Sequence, residues 1–158
     1  MAGTADMFGG MSQSDQQVSG YRFRIVLRRT SPHIWRRVVV RSDSTLGQLH
    51  QTVQVLFGWA DSRPHRFVLR GRSLGASATA AASSWPAPEA LLSEFKLLAK
   101  ERFFYDYGFD DVNVPVWRHE IRFEAAVVAD REQLPSCIGG VGSPPLEQTD
   151  SPQELTNL

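Results

Sequence analysis

Only one of the 158 residues is a cysteine, Cys137, so no disulfide can form within this chain and a reducing compartment fits it. No run reaches the roughly eighteen apolar residues that a spanning helix needs. The N-terminus lacks the basic and apolar regions of a signal peptide, so the expected location is cytoplasmic, with no membrane partner. Excess charge is missing too. The 17 basic and 17 acidic side chains balance, which argues against a dedicated nucleic-acid binder. The HxxH, HExxH and CxxC spacings of metal sites are absent, and Gly139-Gly140-Val141-Gly142 lacks the Lys-Ser/Thr and the helix of a phosphate loop. Neither a cofactor nor a metal is expected on these grounds.

Charge is present in blocks. Between Tyr21 and Arg72 stand eleven arginines against two acids, Asp43 and Asp61, and from Ser73 onward thirteen acids face six bases. This asymmetry predicts a basic and an acidic face, or strands that pair across signs. Tyr21, Phe23, Ile25 and Leu27 alternate with Arg22, Arg24, Val26 and Arg28, the two-residue period of a half-buried strand. Ordered structure is expected to begin there, after a disordered leader at 1–20. A turn at Thr30-Ser31-Pro32-His33 leads into a returning strand, Ile34 to Arg41. Thr45 and Gln48 have capping-box spacing, Leu46, Leu49, Val53, Leu56 and Phe57 follow at helical spacing, and Gly58 ends the pattern, which predicts a helix at 45–57.

Further strands are expected at 65–70, 103–107 and 117–128, with a short helix or turn at 90–100. The Ala/Ser stretch 75–88 reads as a flexible loop inside a single domain of residues 21–142, and 143–158 as a disordered tail. Hairpin, helix and returning strands in this order predict an α+β fold: a β-grasp-like mixed sheet packed on one main helix, with an added C-terminal strand. Its predicted core is Phe23, Ile25, Leu27, Val38, Leu46, Leu49, Val53, Leu56, Phe67 and Phe123.

Several patterns occur together and in order: Ile34-Trp35-Arg36-Arg37-Val38, Thr45-Leu46-Gly47-Gln48-Leu49-His50, Phe57-Gly58-Trp59-Ala60-Asp61, Tyr105-Asp106-Tyr107-Gly108, Trp117-Arg118-His119-Glu120-Ile121 and Pro135-Ser136-Cys137-Ile138-Gly139-Gly140. In this set, residues 21–145 resemble the plasmid pRiA4b ORF-3-like family, also described as insertion-element passenger TnpR-like proteins. The resemblance implies a link to plasmids and mobile elements and carries no settled activity. Two departures stand out. Phe109 and the run Asp111 to Val116 lengthen the stretch before Trp117, and Ser143-Pro144-Pro145-Leu146-Glu147 replaces a Cys-Pro-Pro-Glu-Asp segment. The nucleophilic serine and DNA-binding tail of a serine recombinase are not found.

Two groups of side chains offer function. Arg22, Arg24, Arg28, Trp35, Arg37 and Arg41 fall on the outer face of the predicted hairpin, where they can bind phosphates and stack on a base. The plain alternative is a solvated face whose arginines pair with Glu120 and Glu124. Asp61, His65, Asp106, Asp110 and His119 lie near strand ends and loops, with the residue types for metal ligation or acid–base catalysis. The plain alternative there is a core His119, turn-capping aspartates and a His50 that flanks the core. Trp59 reads as a staple from helix end to sheet, and Cys137 as structural. The favoured reading is a non-enzymatic interaction module with an unknown protein partner. The alternatives are a nucleic-acid-binding accessory protein of a mobile element and a metal-dependent enzyme using a His/Asp cluster.

Overall fold

Alternation of apolar and charged residues produces long strands here, and the computed structural model describes residues 16–74, 89–109 and 116–145. Strand β1 is Gln17–Leu27, β2 Ile34–Arg41, β3 His65–Leu69, β4 Arg72–Leu74, β5 Arg102–Tyr107, β6 Trp117–Asp130 and β7 Ser136–Val141. Helix α1, Leu46–Phe57, connects β2 to β3, and 3-10 turns occupy Leu92–Phe95 and Arg131–Gln133. The leader as far as residue 15, the Ala/Ser stretch 75–88 and the tail from residue 146 lie outside the described residues.

The seven strands form one sheet in the order β4-β3-β5-β6-β1-β2-β7. Every pairing in it is antiparallel. This overturns the expected α+β, β-grasp-like mixed sheet packed on one main helix. A β-grasp sheet needs a parallel central pair, whereas here β1 runs antiparallel to β6 from Gln17↔Asp130 to Leu27↔His119. The described residues are mostly antiparallel sheet with one α-helix of 12 residues. Other boundaries also differ. The first strand starts at Gln17 rather than Tyr21, extended by pairing with the long end of β6. The segment after Leu134, which has little apolar content, supplies the edge strand β7. Arg36 helps hold it there. Its guanidinium donates to the carbonyls of Val141 and Gly142 at 3.2 and 2.8 Å.

One face of the sheet carries the core. Phe23, Ile25, Leu27, Phe67, Phe103, Tyr105, Tyr107, Trp117, Ile121 and Phe123 are buried with Leu46, Leu49, Val53 and Phe57 of α1. Leu56 is the one member of the predicted core that is only partly buried. Trp59 closes one end. It stacks on Tyr107 at 5.1 Å and on Phe57 at 5.5 Å, and its indole N–H donates to the Pro145 carbonyl at 3.0 Å. The expected staple from helix end to sheet is therefore present, and it includes a residue from the segment read as tail.

The ends of α1 follow the expected chemistry. The Gln48 amide N–H donates to Thr45 Oγ1 at 3.1 Å, and Thr45 N–H donates to Gln48 Oε1 at 2.9 Å. Gly58 sits at φ 69°, left-handed backbone that costs a residue with a Cβ, and the Trp59 N–H donates back to the Gln54 carbonyl. Thr45→Ala removes one cap acceptor and should lower stability by about 1 kcal/mol. Urea unfolding checks this, and an unchanged midpoint would show that the cap contributes nothing.

Candidate functional site

Strand alternation directs two sets of side chains to opposite sides of the sheet. On the outer side β1 presents Arg22 and Arg24, Arg28 follows directly after it with its N–H on the Arg118 carbonyl, β2 presents Trp35 and Arg37, and β3 presents Arg66. On the same side β5 presents Arg102, Phe104 and Asp106, and β6 presents Arg118, Glu120, Arg122 and Glu124. Eight arginines thus share a face with three carboxylates. No helix or strand among the described residues covers this face.

Each carboxylate serves two arginines. Glu124 accepts from Arg37 at 2.7 and 3.0 Å and from Arg22 at 3.1 Å. Glu120 accepts from Arg28 at 2.9 Å and from Arg102 at 3.1 Å. Asp106 accepts from Arg118 at 2.7 and 3.0 Å and from Arg66 at 3.1 Å. The Arg37 hydrogen bond holds the Glu124 carboxyl below its ordinary range. Burial alone would raise Asp106, which is 1% exposed, but its bonds to Arg118 and Arg66 together outweigh that and keep it low. Asp106 is therefore an ionised structural anchor rather than a free acid. Arg24, Arg29 and Arg122 have no carboxylate partner among the described residues. Arg24 and Arg37 lie over the Trp35 ring at 5.0 and 5.3 Å, and Arg118 over Phe104 at 4.7 Å. Arg41 pairs with Asp43 at the strand end, 2.8 Å at both contacts. Of the six hairpin candidates, five thus share the outer face with arginines from three other strands, and Arg41 sits at its rim.

One part of this face is concave. Arg28, Arg29, Arg66 and Arg118 line a cavity of about 500 Å³ together with Phe104, Asp106 and Val116. Four guanidiniums around one carboxylate make it a place for an anion.

The inner side holds the other cluster. His50 and Gln54 are one helical turn apart on the buried face of α1. Asp61 follows the helix stop in left-handed backbone, φ 54°, and His65 opens β3. The Asp61 N–H donates to Gln54 Oε1 at 2.9 Å. Reversing the Gln54 amide would set donor against donor, so Gln54 Nε2 must be what donates to the Tyr105 hydroxyl at 2.8 Å. The Tyr105 O–H then donates to His50 Nδ1 at 2.7 Å, and His50 Nε2–H donates to Asp61 Oδ1 at 2.8 Å. The ring of hydrogen bonds begins and ends on Asp61. Every donor in it then has an acceptor with His50 as a neutral imidazole, although the distance to Asp61 alone would also fit an ion pair. Burial is the larger influence and lowers the His50 pKa, against the opposing pull of Asp61. The His65 ring stacks on His50 with centroids 3.5 Å apart and planes 8° from parallel. Burial first, and then the neighbouring His50, lower its pKa to about 4. The ring nitrogens of His50 and His65 and a carboxylate oxygen of Asp61 all lie within 4.8 Å of one another.

The histidine and aspartate candidates therefore separate. Asp61 and His65 come together, Asp106 is on the opposite face, and Asp110 lies outside the described residues. His119 is wholly buried, with Nδ1 3.2 Å from the Tyr105 carbonyl, and burial lowers its pKa to about 4. Cys137 is exposed on β7, with Sγ 3.4 Å from the Gly139 carbonyl. Sequence reasoning left out His50, Gln54 and Tyr105. The spacing of His50 and Gln54 on a predicted apolar helix face was the available signal, because polar groups placed there need partners.

Comparison with known proteins supports the family and the fold. Residues 19–158 match the model of the plasmid pRiA4b ORF-3-like protein family. The chain is 28% identical over 137 residues to a protein of Sinorhizobium fredii (strain NBRC 101917 / NGR234), "Uncharacterized protein y4hQ", a match that covers 83% of this chain and 66% of that protein. Its fold is similar to that of a protein of unknown function, MM3350, from Methanosarcina mazei Go1, with a TM-score of 0.73, 21% identity, and coverage of 85% of this chain and 76% of that one. The family match takes in every arginine of the outer face and the His50 cluster, and by it this chain belongs to the plasmid pRiA4b ORF-3-like protein family.

Proposed function

We propose that the chain is a non-enzymatic interaction module whose working surface is the outer sheet face, and that this surface takes single-stranded nucleic acid. The observation that carries the reading is the sharing of three carboxylates among eight arginines on a face that no helix or strand among the described residues covers. Such a face keeps a surplus of positive charge even when every carboxylate is paired, although the whole chain is neutral. A broad sheet cannot enter a groove of duplex DNA, whereas extended strands lie across sheets and stack on aromatic and guanidinium planes. Trp35 and Phe104, each under an arginine, supply such planes. A partner of this kind fits the cytoplasmic location expected from the sequence and the plasmid context in the family's name.

Titrating a labelled single-stranded oligonucleotide at low salt, read by fluorescence anisotropy, tests the reading. Binding should weaken with salt at a log–log slope of about −3.5, as expected if roughly five net charges engage phosphates. Arg24→Glu with Arg122→Glu, two side chains with no carboxylate partner among the described residues, should remove it. Glu124→Gln should strengthen it, because two guanidiniums are released at once. No binding at low salt sinks the proposal. Binding that the double variant leaves intact moves the site off this face, and preference for duplex or for an acidic protein replaces the proposed partner.

A further inference from the structure

We propose that His50, Asp61 and His65 form a three-ligand site for a divalent transition-metal ion of the zinc class. The site lies on the opposite side of the sheet from the arginine face and is independent of it. Three observations carry it. The donor atoms of two imidazoles and one carboxylate lie within 4.8 Å of one another, although the residues come from a helix, a loop and a strand. An ion held at about 2.0–2.2 Å from each requires these atoms to draw together and the stacked His65 ring to reorient. Two imidazoles with one carboxylate are the donor set of open zinc and related sites, in which a fourth position stays free. Asp61, 56% of whose side chain is exposed, gives that position access to solvent. The third observation is the shell behind His50. Gln54 holds Tyr105, and Tyr105 holds His50 Nδ1, the outer-shell support that fixes a ligating imidazole.

Two adjustments accompany binding. The stacked rings cannot both place one ion in their planes, so His65 turns out of the stack until its ring nitrogen meets the point where His50 Nε2 and Asp61 Oδ1 converge. His65 is only partly buried and has no hydrogen-bond partner among the described residues, so little opposes this turn. The proton now between His50 and Asp61 leaves Nε2. His50 takes the Nδ1–H tautomer and donates to the Tyr105 oxygen, whose own O–H rotates away. No net proton is released.

The full chain, stripped with a chelator and dialysed, is titrated with Co²⁺ and then with Zn²⁺. One equivalent of Co²⁺ should give visible d–d absorption that Zn²⁺ abolishes, and bound Zn²⁺ should raise the thermal midpoint. Asp61→Asn and His65→Ala should each remove the absorption, with far-ultraviolet circular dichroism confirming that both variants fold. Tyr105→Phe should keep the site and weaken it by roughly 10–100-fold, the effect of losing outer-shell support. His33→Ala, at an exposed turn, should change nothing. Failure to bind one equivalent, or binding that survives both Asp61→Asn and His65→Ala, overturns the proposal. Loss of binding in His33→Ala would place the ion elsewhere and overturn it equally.

Discussion

Lowering the pH from about 6.5 to about 4 should cost this protein much of its stability while its arginine-paired carboxylates Glu124, Glu101 and Asp43 are still ionised. The cause lies in its buried histidines. His119 has a folded pKa of about 4 against an ordinary value of 6.5, with burial as the main influence. His65 is likewise lowered to about 4, and His50 is lowered as well. A base with a depressed pKa binds its proton more readily when unfolded. Between the two pKa values the unfolded chain therefore carries more protons, and stability rises with pH. The stabilising effect is complete above about 6.5 and is lost as the pH falls toward 4. His119 alone accounts for roughly 3 kcal/mol at one pKa unit per 1.4 kcal/mol, and the partly buried His65 for less. Urea midpoints measured at several pH values read this directly. The paired carboxylates Glu124, Glu101 and Asp43 are also depressed, but acids lose their contribution lower, below about 4, so the two windows separate. A flat profile from 6.5 to 4 would mean that the histidines reach water in the folded state.

Leu49→Ala should destabilise the chain by about 2–5 kcal/mol. Leu49 is fully buried at the middle of the inner face of α1, which packs over this side of the sheet together with Leu92 of the 3-10 turn. The loss combines removal of apolar burial with the cavity left behind, and neighbouring aromatic rings cannot collapse into it without leaving their own contacts. Val55→Ala on the same helix is the control. Val55 is 80% exposed, so its truncation should stay within about 0.5 kcal/mol. Equal losses from the two changes would show that α1 does not sit on the sheet as described.

What the sequence made legible was local. Tyr21 to Arg28 and Trp117 to Glu124 each announce a strand with one apolar and one charged side, because side-chain direction follows the backbone period. The cap at Thr45 and the stop at Gly58 are equally local, whereas the pairing of Arg22 and Arg37 with Glu124, 102 and 87 positions away, stood only as an alternative to a free arginine face. Strand neighbours are a different matter. Alternation says which way Phe23 points but not that it lies opposite Phe123, 100 positions away, and the parallel pair of a β-grasp has the same alternation as the antiparallel pair found. The edge strand β7 escaped because Ser136 to Val141 has two glycines and no alternation. Its place depends on Arg36 reaching its carbonyls. Convergence of His50, Asp61 and His65 depends on the left-handed turn at Asp61, which residue spacing does not encode.

The double use of each outer carboxylate bears on how such a surface can change over generations. The inner side is constrained by shape, since Trp59 packs against Phe57, Tyr107 and Trp117 and most replacements there threaten folding. The outer side is constrained mainly by charge. One acid-to-amide replacement at Glu120 or Glu124 shifts the field of the whole face and frees two guanidiniums, yet touches no core contact. Ligand preference can therefore drift along one side of the sheet in single nucleotide steps while the other side keeps the fold intact.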